Sequence, residues 1–430
     1  MTLRKPGYLP RVIDRKIEEY LNLFGAITIE GPKWCGKTWT SLNHVKSVNY
    51  IMDPAGNYSN RERARINPAL ALEGLKPHLI DEWQEAPGIW DAVRFDVDKE
   101  HVTGKFILTG SVSPPREEYS HSGTGRFAII RMRSMSLFES GDSTGSVSFS
   151  ALMNSESVEP FSADIDLRNL IDITVRGGWP DTLKIPTKSA AQISIEYLNM
   201  IAKNELFRSN DKKRNPSKLT GLLRSLARNN STIVNLSTLS SDTISNGLTS
   251  DDVINISRQT TAEYLDDLKR IYVIEDIKGW NPDIRSKTRM RMASKIIYTD
   301  PSLAIAALGV TTDRLLHDLS TYGFMFENLC LRDISVYAEN IGGKVYHYRD
   351  NSNLEVDAIV ELNDGSWGAF EIKLGEHQVE SAASSLLNLR KKMITNGYTP
   401  PNCLCVITGG GYGRQHDDGV YVIPINSLKP

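Results

Sequence analysis

The sequence predicts an α/β protein in which an N-terminal parallel-sheet domain, a helical middle region and a C-terminal α/β domain follow one another. Short apolar runs alternate with helix-length spacers up to Phe138, which is typical of a parallel sheet. Helical periodicity dominates from about Ile165 to Trp280, and strand-like alternation returns after Lys295. The 430 residues suit several domains of roughly 100–200 residues each.

Composition excludes several classes of protein. With 50 Lys and Arg against 52 Asp and Glu, the chain is not a strongly basic nucleic-acid protein as a whole, although a local basic face is compatible with it. No apolar run approaches the roughly 18 residues of a membrane-spanning helix, and residues 1–20 lack the apolar core of a secretory signal. The four cysteines are too few for a disulfide scaffold, so we expect a cytoplasmic protein with no membrane association.

In the N-terminal domain, five short apolar runs predict strands at 26–30, 48–52, 78–80, 105–109 and 128–131. The first of them leads into a complete G-x-x-x-x-G-K-[ST] motif, Gly31-Pro32-Lys33-Trp34-Cys35-Gly36-Lys37-Thr38. Backbone N–H groups of such a loop curl around a phosphate, helped by the start of the following helix. Lys37 is expected to reach the β- and γ-phosphates of ATP, and the Thr38 hydroxyl to hold Mg²⁺. The predicted nucleotide-binding residues extend to Trp39, and the alternative is a glycine-rich turn before a surface helix.

Acidic and small polar residues at the ends of later strands complete the predicted ATP site. Asp81 would hold Mg²⁺, and Glu82 would orient or deprotonate the attacking water. Ser111 or Thr109 could sense the γ-phosphate from the carboxyl edge of the sheet, where ligands bind in open α/β sheets. The alternative is a strand that simply ends in a turn. Arg126 could supply positive charge to the phosphates, in cis or to a neighbouring molecule.

Cys35 lies inside the loop, next to the start of a helix, which is a setting that can activate a thiol. We interpret it as a small residue that fills the loop. The alternative hypothesis is that oxidation of Cys35 blocks nucleotide binding.

A second set of candidate residues lies on two alternating runs joined by a short loop, which predict a β-hairpin in the C-terminal domain. Period-2 alternation places Glu371 and Lys373 on one face of their strand, and Asp357 can lie beside them across the hairpin. Carboxylate oxygens suit Mg²⁺, and a lysine can position a water or stabilise developing charge. The alternative is an ordinary hairpin with a salt-bridged Glu–Lys pair.

The spacing Asp357-x13-Glu371-x-Lys373 resembles the core of the PD-(D/E)XK, or restriction-endonuclease-like, superfamily. The preceding predicted helix, 323–339, carries Glu327, where that superfamily often has a third acidic ligand. The proline of the motif is absent, because Val356 precedes Asp357. The resemblance implies a catalytic set of Asp357, Glu371 and Lys373 and a metal site of Glu327, Asp357 and Glu371, while DNA cleavage itself is left open.

Between these two regions, residues 236–277 read as helix, turn, helix and strand, which looks like a winged helix in which Ser257 caps the second helix. The flanks are basic. Residues 203–228 hold eight Lys or Arg against two Asp or Glu, and residues 278–295 hold six against one. Such runs can neutralise DNA phosphates, which makes DNA a candidate partner, or they are simply solvated faces.

Taken together, the chain resembles a prokaryotic family of AAA-type P-loop ATPases that carry a C-terminal domain of unknown function. That domain comprises a winged helix and an endonuclease-like module. The marks of the resemblance are segments 31–38, 79–84, 108–111, 177–180 and 326–328, together with the hairpin residues.

The sequence pattern and the resemblance together predict a domain order, in which residues 141–164 form a separate segment because they are rich in Ser, Gly and acidic residues. Residues 1–140 would be the P-loop ATPase domain, 141–164 a linker or exposed insertion, 165–290 the helical winged-helix region and 291–430 the nuclease-like domain. The resemblance also implies ATP binding. Together with the motif residues, it leads us to predict an ATPase that uses Mg²⁺ and is coupled to a module acting on or binding DNA. The alternative is an ATP-driven switch whose nuclease-like half binds protein or DNA without cleaving. A homo-oligomer or a protein partner is a further candidate.

Overall fold

The computed structural model describes residues 2–112, 123–205, 215–245, 256–283, 285 and 292–430. The chain divides into two compact units. The first is Met1–Met135 together with Arg270–Tyr272, and the second is Ser136–Lys269 together with Val273–Pro430. Most residues of the predicted phosphate-loop domain lie in the first unit, and most residues of the predicted middle and C-terminal domains lie in the second.

A five-stranded parallel sheet forms the centre of the first unit, in the order β2-β3-β4-β1-β5. Each of the five predicted strands is present, with ends shifted by at most two residues. The strands are β1 (Ala26–Glu30), β2 (Ser47–Tyr50), β3 (His78–Asp81), β4 (Phe106–Gly110) and β5 (Phe127–Arg131). The helices are α1 (Asp14–Leu23), α2 (Lys37–Leu42), α3 (Ala55–Ile66) and α4 (Gly88–Glu100).

The second unit is built on a ten-stranded mixed sheet, in the order β7-β15-β16-β14-β13-β12-β11-β9-β10-β8, with β6 and β17 paired separately. Its strands are β6 (Val147–Ser148), β7 (Phe161–Ala163), β8 (Thr232–Ile233), β9 (Ile274–Gly279), β10 (Lys295–Tyr298), β11 (Gly343–Arg349), β12 (Glu355–Leu362), β13 (Trp367–Lys373), β14 (Cys403–Thr408), β15 (Gly411–Gln415), β16 (Tyr421–Pro424) and β17 (Leu428–Lys429).

Helices cover this sheet and fill the region that precedes it. They are α5 (Leu137–Ser140), α6 (Phe149–Met153), α7 (Leu167–Arg176), α8 (Thr187–Met200), α9 (Pro216–Arg228), α10 (Leu236–Ser245), α11 (Arg258–Arg270), α12 (Pro301–Leu308), α13 (Thr312–Leu316), α14 (Leu319–Asn340) and α15 (Val379–Thr395). Within the described ranges, none of the helices has both the length and the apolar character needed to cross a membrane.

Residues 141–164 are not the linker or exposed insertion that their composition predicts. β6 pairs with β17, and β7 pairs with β15. Phe149 of α6 is buried, and its ring stacks on Phe370 at a centroid distance of 5.4 Å. The sequence does not predict these elements because two to five residues are too few to show a hydrophobic period. Ser148, one of the serines that suggest a linker, is instead the N-cap of α6.

Residues 216–298 run α9, β8, α10, α11, β9 and β10, with β10 antiparallel to both β8 and β9. The predicted cap is present, because the Ser257 hydroxyl accepts a hydrogen bond from the Thr260 N–H at 3.1 Å. The strand that ends the predicted segment 236–277 begins at Ile274. Tyr272 lies in a turn with φ 60°, which an extended strand does not tolerate.

The Gly-Gly-Trp-Pro segment, residues 177–180, follows α7 and contacts the start of α12. Gly177 has φ 75°, and a Cβ there would lie 2.5 Å from the Ser302 hydroxyl. The Gly178 N–H donates to Asp300 at 2.9 Å. Asp300 also accepts from the fully buried Arg332 at 3.0 Å. This segment is thus an architectural feature of the second unit.

Candidate functional site

The phosphate loop joins β1 to α2, and its shape depends on residues with left-handed backbone. Gly36 has φ 102° and Trp34 has φ 72°. A Cβ on Gly31 would lie 2.0 Å from the carbonyl oxygen of Met132. The glycines of the motif are therefore needed for the path of the loop as well as for the approach of a phosphate.

Lys37 is buried, and its ammonium is held by the loop itself. It donates to the carbonyl oxygens of Gly31 at 2.9 Å and Pro32 at 2.7 Å. These acceptors are neutral main-chain groups. A phosphate that enters the loop can replace them without breaking an ion pair.

Asp81 is the centre of a hydrogen-bonded set at the carboxyl edge of the sheet. One of its carboxylate oxygens accepts from the Thr38 hydroxyl at 2.9 Å and from the Thr109 hydroxyl at 2.5 Å. Burial raises the pKa of Asp81, while these two hydrogen bonds act to lower it. The Thr38 and Asp81 oxygens are adjacent hard donors of the kind that Mg²⁺ prefers, so they fit the ion.

Glu82 is positioned by two neutral side chains. Its carboxylate accepts from the Gln84 amide and from the Ser111 hydroxyl, the latter at 3.3 Å. Gly110 leaves room for this, because a Cβ there would lie 3.0 Å from Gln84 Oε1. Ser111 is thus a partner of the predicted water-orienting carboxylate, and Thr109 is a partner of Asp81. The role of Gln84 was missed, although its signal is a polar side chain two positions after Glu82.

Arg126 lies at the amino edge of the sheet, opposite the phosphate loop. It precedes β5, whose first residue, Phe127, pairs in parallel with Ala26 at the start of β1, whereas the loop follows Glu30 at the end of β1. Its guanidinium donates to Asp98 at 2.6 Å. This placement is incompatible with a contact to the phosphates in cis, and a role towards a neighbouring molecule stays a prediction.

Arg11 is a residue of the site that no sequence motif marks. It is buried, and it donates to the carbonyl oxygen of Cys35 at 2.8 Å and to that of Arg133 at 2.9 Å, so it braces the loop from the N-terminal segment. The Cys35 side chain is fully buried. Its placement agrees with a residue that fills the loop, and the oxidation hypothesis lacks an accessible sulfur.

The hairpin of the second unit brings the predicted carboxylates and lysine together. β12 and β13 pair antiparallel. Asp357 Oδ2 accepts from the Ile372 N–H at 2.8 Å and from the Lys373 ammonium at 3.0 Å. The same ammonium lies 2.6 Å from Glu371 Oε2. The side-chain placement inferred from period-2 alternation is the one observed.

A second lysine enters this cluster. The Lys295 ammonium, from the first residue of β10, lies 3.0 Å from Glu327, 3.6 Å from Glu355 and 3.7 Å from Asp357. Its side chain is 3% exposed. Assigning Lys295 to a basic run that faces solvent or DNA was therefore wrong. Its only sequence signal is that it opens an apolar strand rather than lying in a polar loop.

The protonation of the cluster reflects its burial. Burial and the charge of Asp357 raise the pKa of Glu327 to about 8, and the same two causes raise the pKa of Glu371 to about 8. Burial acts to raise the pKa of Asp357 too, but the charges of Lys373 and Lys295 outweigh it and lower that pKa. Asp357 is therefore the carboxylate that the two ammonium groups keep ionised.

The cluster does not fit a divalent cation as it is arranged. Across the described part of the chain, no group of three or more His, Cys, Asp or Glu side chains is placed to hold a metal ion. The oxygens of Glu327, Asp357 and Glu371 are of the right chemical type, but lysine ammonium groups contact each of them. The carboxylates to which the resemblance assigns Mg²⁺ are thus paired with lysine side chains in this structure.

The cluster opens on a cavity of about 720 Å³ within the second unit. Glu327 and Lys373 line it, together with apolar side chains that include Leu319, Phe324 and Leu167. Lys295 is not among the lining residues. A ligand in this cavity would therefore meet Lys373 and Glu327 first, and Lys295 only from behind them.

Family comparisons divide the chain in three. An AAA domain model matches residues 24–140, a domain of unknown function (DUF8612) matches 167–314, and a second domain of unknown function (DUF4143) matches 322–428. With the parallel sheet and the phosphate loop, the first match identifies an AAA-type P-loop ATPase domain at the N-terminal end of this chain.

Individual relatives are distant. An uncharacterized protein of Mycobacterium bovis is 24% identical over 373 residues, which cover 83% of this chain and 72% of that protein, and an uncharacterized protein of Mycobacterium tuberculosis gives the same values. The Walker-type ATPase of Pyrococcus abyssi is 12% identical, covers 71% of this chain and 97% of that chain, and has a TM-score of 0.42. Aeropyrum pernix Orc1, solved in complex with DNA, is 13% identical, covers 73% of this chain and 96% of that chain, and has a TM-score of 0.28.

Proposed function

We propose that this chain hydrolyses ATP at the phosphate loop with Mg²⁺ as cofactor. The observation that carries the proposal is the hydrogen-bonded set in which Thr38 and Thr109 meet on Asp81. Directly after Asp81, the Glu82 carboxylate accepts hydrogen bonds from the neutral side chains of Gln84 and Ser111. Binding, cofactor and general-base groups thus lie at one edge of one sheet.

Each residue then has a role in the proposed reaction. The loop N–H groups and Lys37 bind the phosphates, with Lys37 exchanging its main-chain acceptors for phosphate oxygens. Thr38 and Asp81 would hold Mg²⁺, which neutralises phosphate charge when bound. Glu82 accepts the proton of the attacking water, and Ser111 fixes the direction in which its carboxylate faces.

We further propose that the second unit comprises a winged helix and an endonuclease-like module. The order α9, β8, α10, α11, β9, β10, with three antiparallel strands, supports the winged helix. The order α14, β11, β12, β13, α15, β14 supports the endonuclease-like module, since it matches the helix–strand–strand–strand–helix–strand order of that superfamily. The placement of Asp357, Glu371 and Lys373 on one hairpin supports it as well.

DNA is the partner that we propose for the second unit. Arg224 and Arg228 of α9 and Arg314 of α13 line a cavity of about 220 Å³, which Asp318 and Thr321 also line. Three guanidinium groups around one concave surface favour a phosphate-bearing ligand. In the two basic runs, residues 206–214, 284 and 286–291 lie outside the described residues, so their part in this proposal rests on the sequence alone.

Two versions of the DNA function are distinguishable. In the first, ATP turnover controls cleavage by the endonuclease-like module. In the second, the chain is an ATP-driven switch whose module binds DNA or protein without cleaving. The Lys295 ammonium in the carboxylate cluster favours the second version, because it pairs with carboxylates that a catalytic cation would need as ligands.

The test incubates the full chain with Mg²⁺ or Mn²⁺ and with linear or supercoiled DNA, with and without ATP, beside a Lys373→Ala variant. ATP turnover without DNA cleavage is the result expected for the switch. Cleavage that is lost in Lys373→Ala would instead establish the nuclease, and its dependence on ATP would measure the coupling. Absence of ATP turnover by the wild-type chain would contradict the proposal as a whole.

A further inference from the structure

We propose that Lys295 is a built-in cation that occupies the divalent-metal position of the carboxylate cluster, so that Lys295 and a divalent ion exclude each other there. This inference rests on the proposed endonuclease-like character of the second unit. It adds a regulating residue that lies outside the D/E-x-K motif, on a different strand.

The contacts of Lys295 are those of a bound cation rather than of a surface ion pair. Its ammonium faces carboxylates from two elements, Glu327 on α14 and both Glu355 and Asp357 on β12. One ammonium group thus contacts three carboxylates, an arrangement that resembles the binding of a hard metal ion by oxygen ligands.

The two lysines approach the cluster from different sides. The Lys373 side chain is 25% exposed and lines the large cavity, whereas the Lys295 side chain is 3% exposed and does not line it. Lys295 reaches the carboxylates from β10, within the sheet, where its backbone is paired with β8 and β9. The Lys295 ammonium is therefore buried behind the side chains that line the cavity.

Charge explains why the two cations exclude each other. A buried ammonium is tolerated because carboxylates pair with it, and Lys295 lies beside the ionised Asp357 and its neighbours Glu327 and Glu355. A divalent ion placed among the same oxygens would lie within a few ångströms of that ammonium. At this distance, like charges repel strongly in a partly buried site. Lys295 also engages Glu327, which the metal would need as a ligand.

Calorimetric titration of the full chain with Mn²⁺, without nucleotide, tests the inference. The variants are Lys295→Met, which keeps an apolar stem without charge, and Lys278→Met, its matched control at an exposed lysine on the neighbouring strand β9. The wild type and both variants are each titrated alongside a matched protein that also carries Glu371→Gln. Subtracting the second titration from the first removes the signal of any Mn²⁺ bound at the phosphate loop. The melting temperature with and without Mn²⁺ gives a second readout, since a ligand that binds only the folded state raises it.

We expect Lys295→Met to bind Mn²⁺ in a manner that is lost with Glu371→Gln, whereas the wild type shows no Mn²⁺ binding that depends on Glu371. Mn²⁺ should raise its melting temperature, while Lys278→Met behaves like the wild type. Equal Mn²⁺ affinity in Lys295→Met and wild type would overturn the inference. If Lys295→Met does not fold, Lys295→Gln replaces it, and wild-type titration still decides, because wild-type Mn²⁺ binding that Glu371→Gln abolishes also overturns the inference.

The outcomes separate this inference from the proposed function. If Lys295→Met gains Mn²⁺ but still does not cleave DNA, the inference stands and only the cleaving version of the function fails. If ATP turnover is absent in the wild type, the ATPase proposal fails while the metal titration remains interpretable.

Discussion

The phosphate loop and the carboxylate cluster contain the same types of side chain, a lysine beside acidic groups, but pair them differently. In the loop, Lys37 is held by main-chain carbonyls, and Asp81 is held by hydroxyls. In the cluster, Lys295 and Lys373 pair directly with carboxylates. The first site keeps its charges available for a ligand, whereas the second satisfies them internally. The same residue types can therefore make a binding site or a closed ion-pair network, depending on what neutral partners lie nearby.

The largest effect that this comparison predicts is on stability. Asp357→Asn leaves both Lys373 and Lys295 without the carboxylate that they share, and breaking such a buried network should lower the free energy of unfolding by about 3–5 kcal/mol. Urea denaturation measures the change. Asp364→Asn, at an exposed carboxylate in the loop of the same hairpin, is the control and should change it by less than about 0.5 kcal/mol. Equal effects of the two changes would mean that the network contributes nothing.

We expect the stability of the first unit to depend on pH through His78, which is buried as a neutral imidazole. Burial, aided by the charge of Lys76, lowers the pKa of His78 from 6.5 to about 4. Between these two values the unfolded chain binds a proton that the folded chain does not. Stability should therefore fall as the pH drops from 6.5 to 4, by up to about 3 kcal/mol.

Thermal unfolding of the wild type and of His78→Gln across this range measures the effect. We expect the variant to have the lower stability at pH 7, because His78 contacts Ser47 and the Ala71 carbonyl. The gap to the wild type should narrow towards pH 4. A gap that is constant with pH would contradict the assignment to His78.

The sequence could predict the parts of this molecule that contiguous patterns encode. The phosphate loop is eight consecutive residues, and each first-unit strand is a short apolar run, so both were predicted with nearly correct bounds. The hairpin residues followed from period-2 alternation. In contrast, Lys295 on β10 meets Asp357 on β12 although these two strands are not neighbours in the sheet, and no local pattern records such a contact. Arg11 could not be predicted either, because it contacts the loop from a distant part of the sequence. The strands within 141–164 could not be predicted because they are too short to show a hydrophobic period.

Lys37→Ala tests whether the loop is the catalytic site of the first unit. Its ammonium is free to exchange neutral carbonyls for phosphate, so its loss should lower ATP turnover by about 100-fold or more, or about 2.7 kcal/mol. Lys46→Ala, at an exposed lysine after α2, is the control and should turn over ATP at the wild-type rate. Circular dichroism confirms the fold of both. Turnover by Lys37→Ala at the wild-type rate would place the activity elsewhere.

The smallest effect concerns the positioning of Glu82, and it is the sharpest test of the neutral-partner interpretation. Ser111→Ala removes one of the two donors that direct the Glu82 carboxylate, so kcat should fall about tenfold with little change in KM. Ser111→Thr keeps the hydroxyl and should restore most of the rate. Because Ser111 acts only through Glu82, adding Ser111→Ala to Glu82→Gln should cost no further activity. Additive losses would mean that Ser111 contacts the nucleotide itself, and the γ-phosphate role predicted from the sequence would then replace the positioning role.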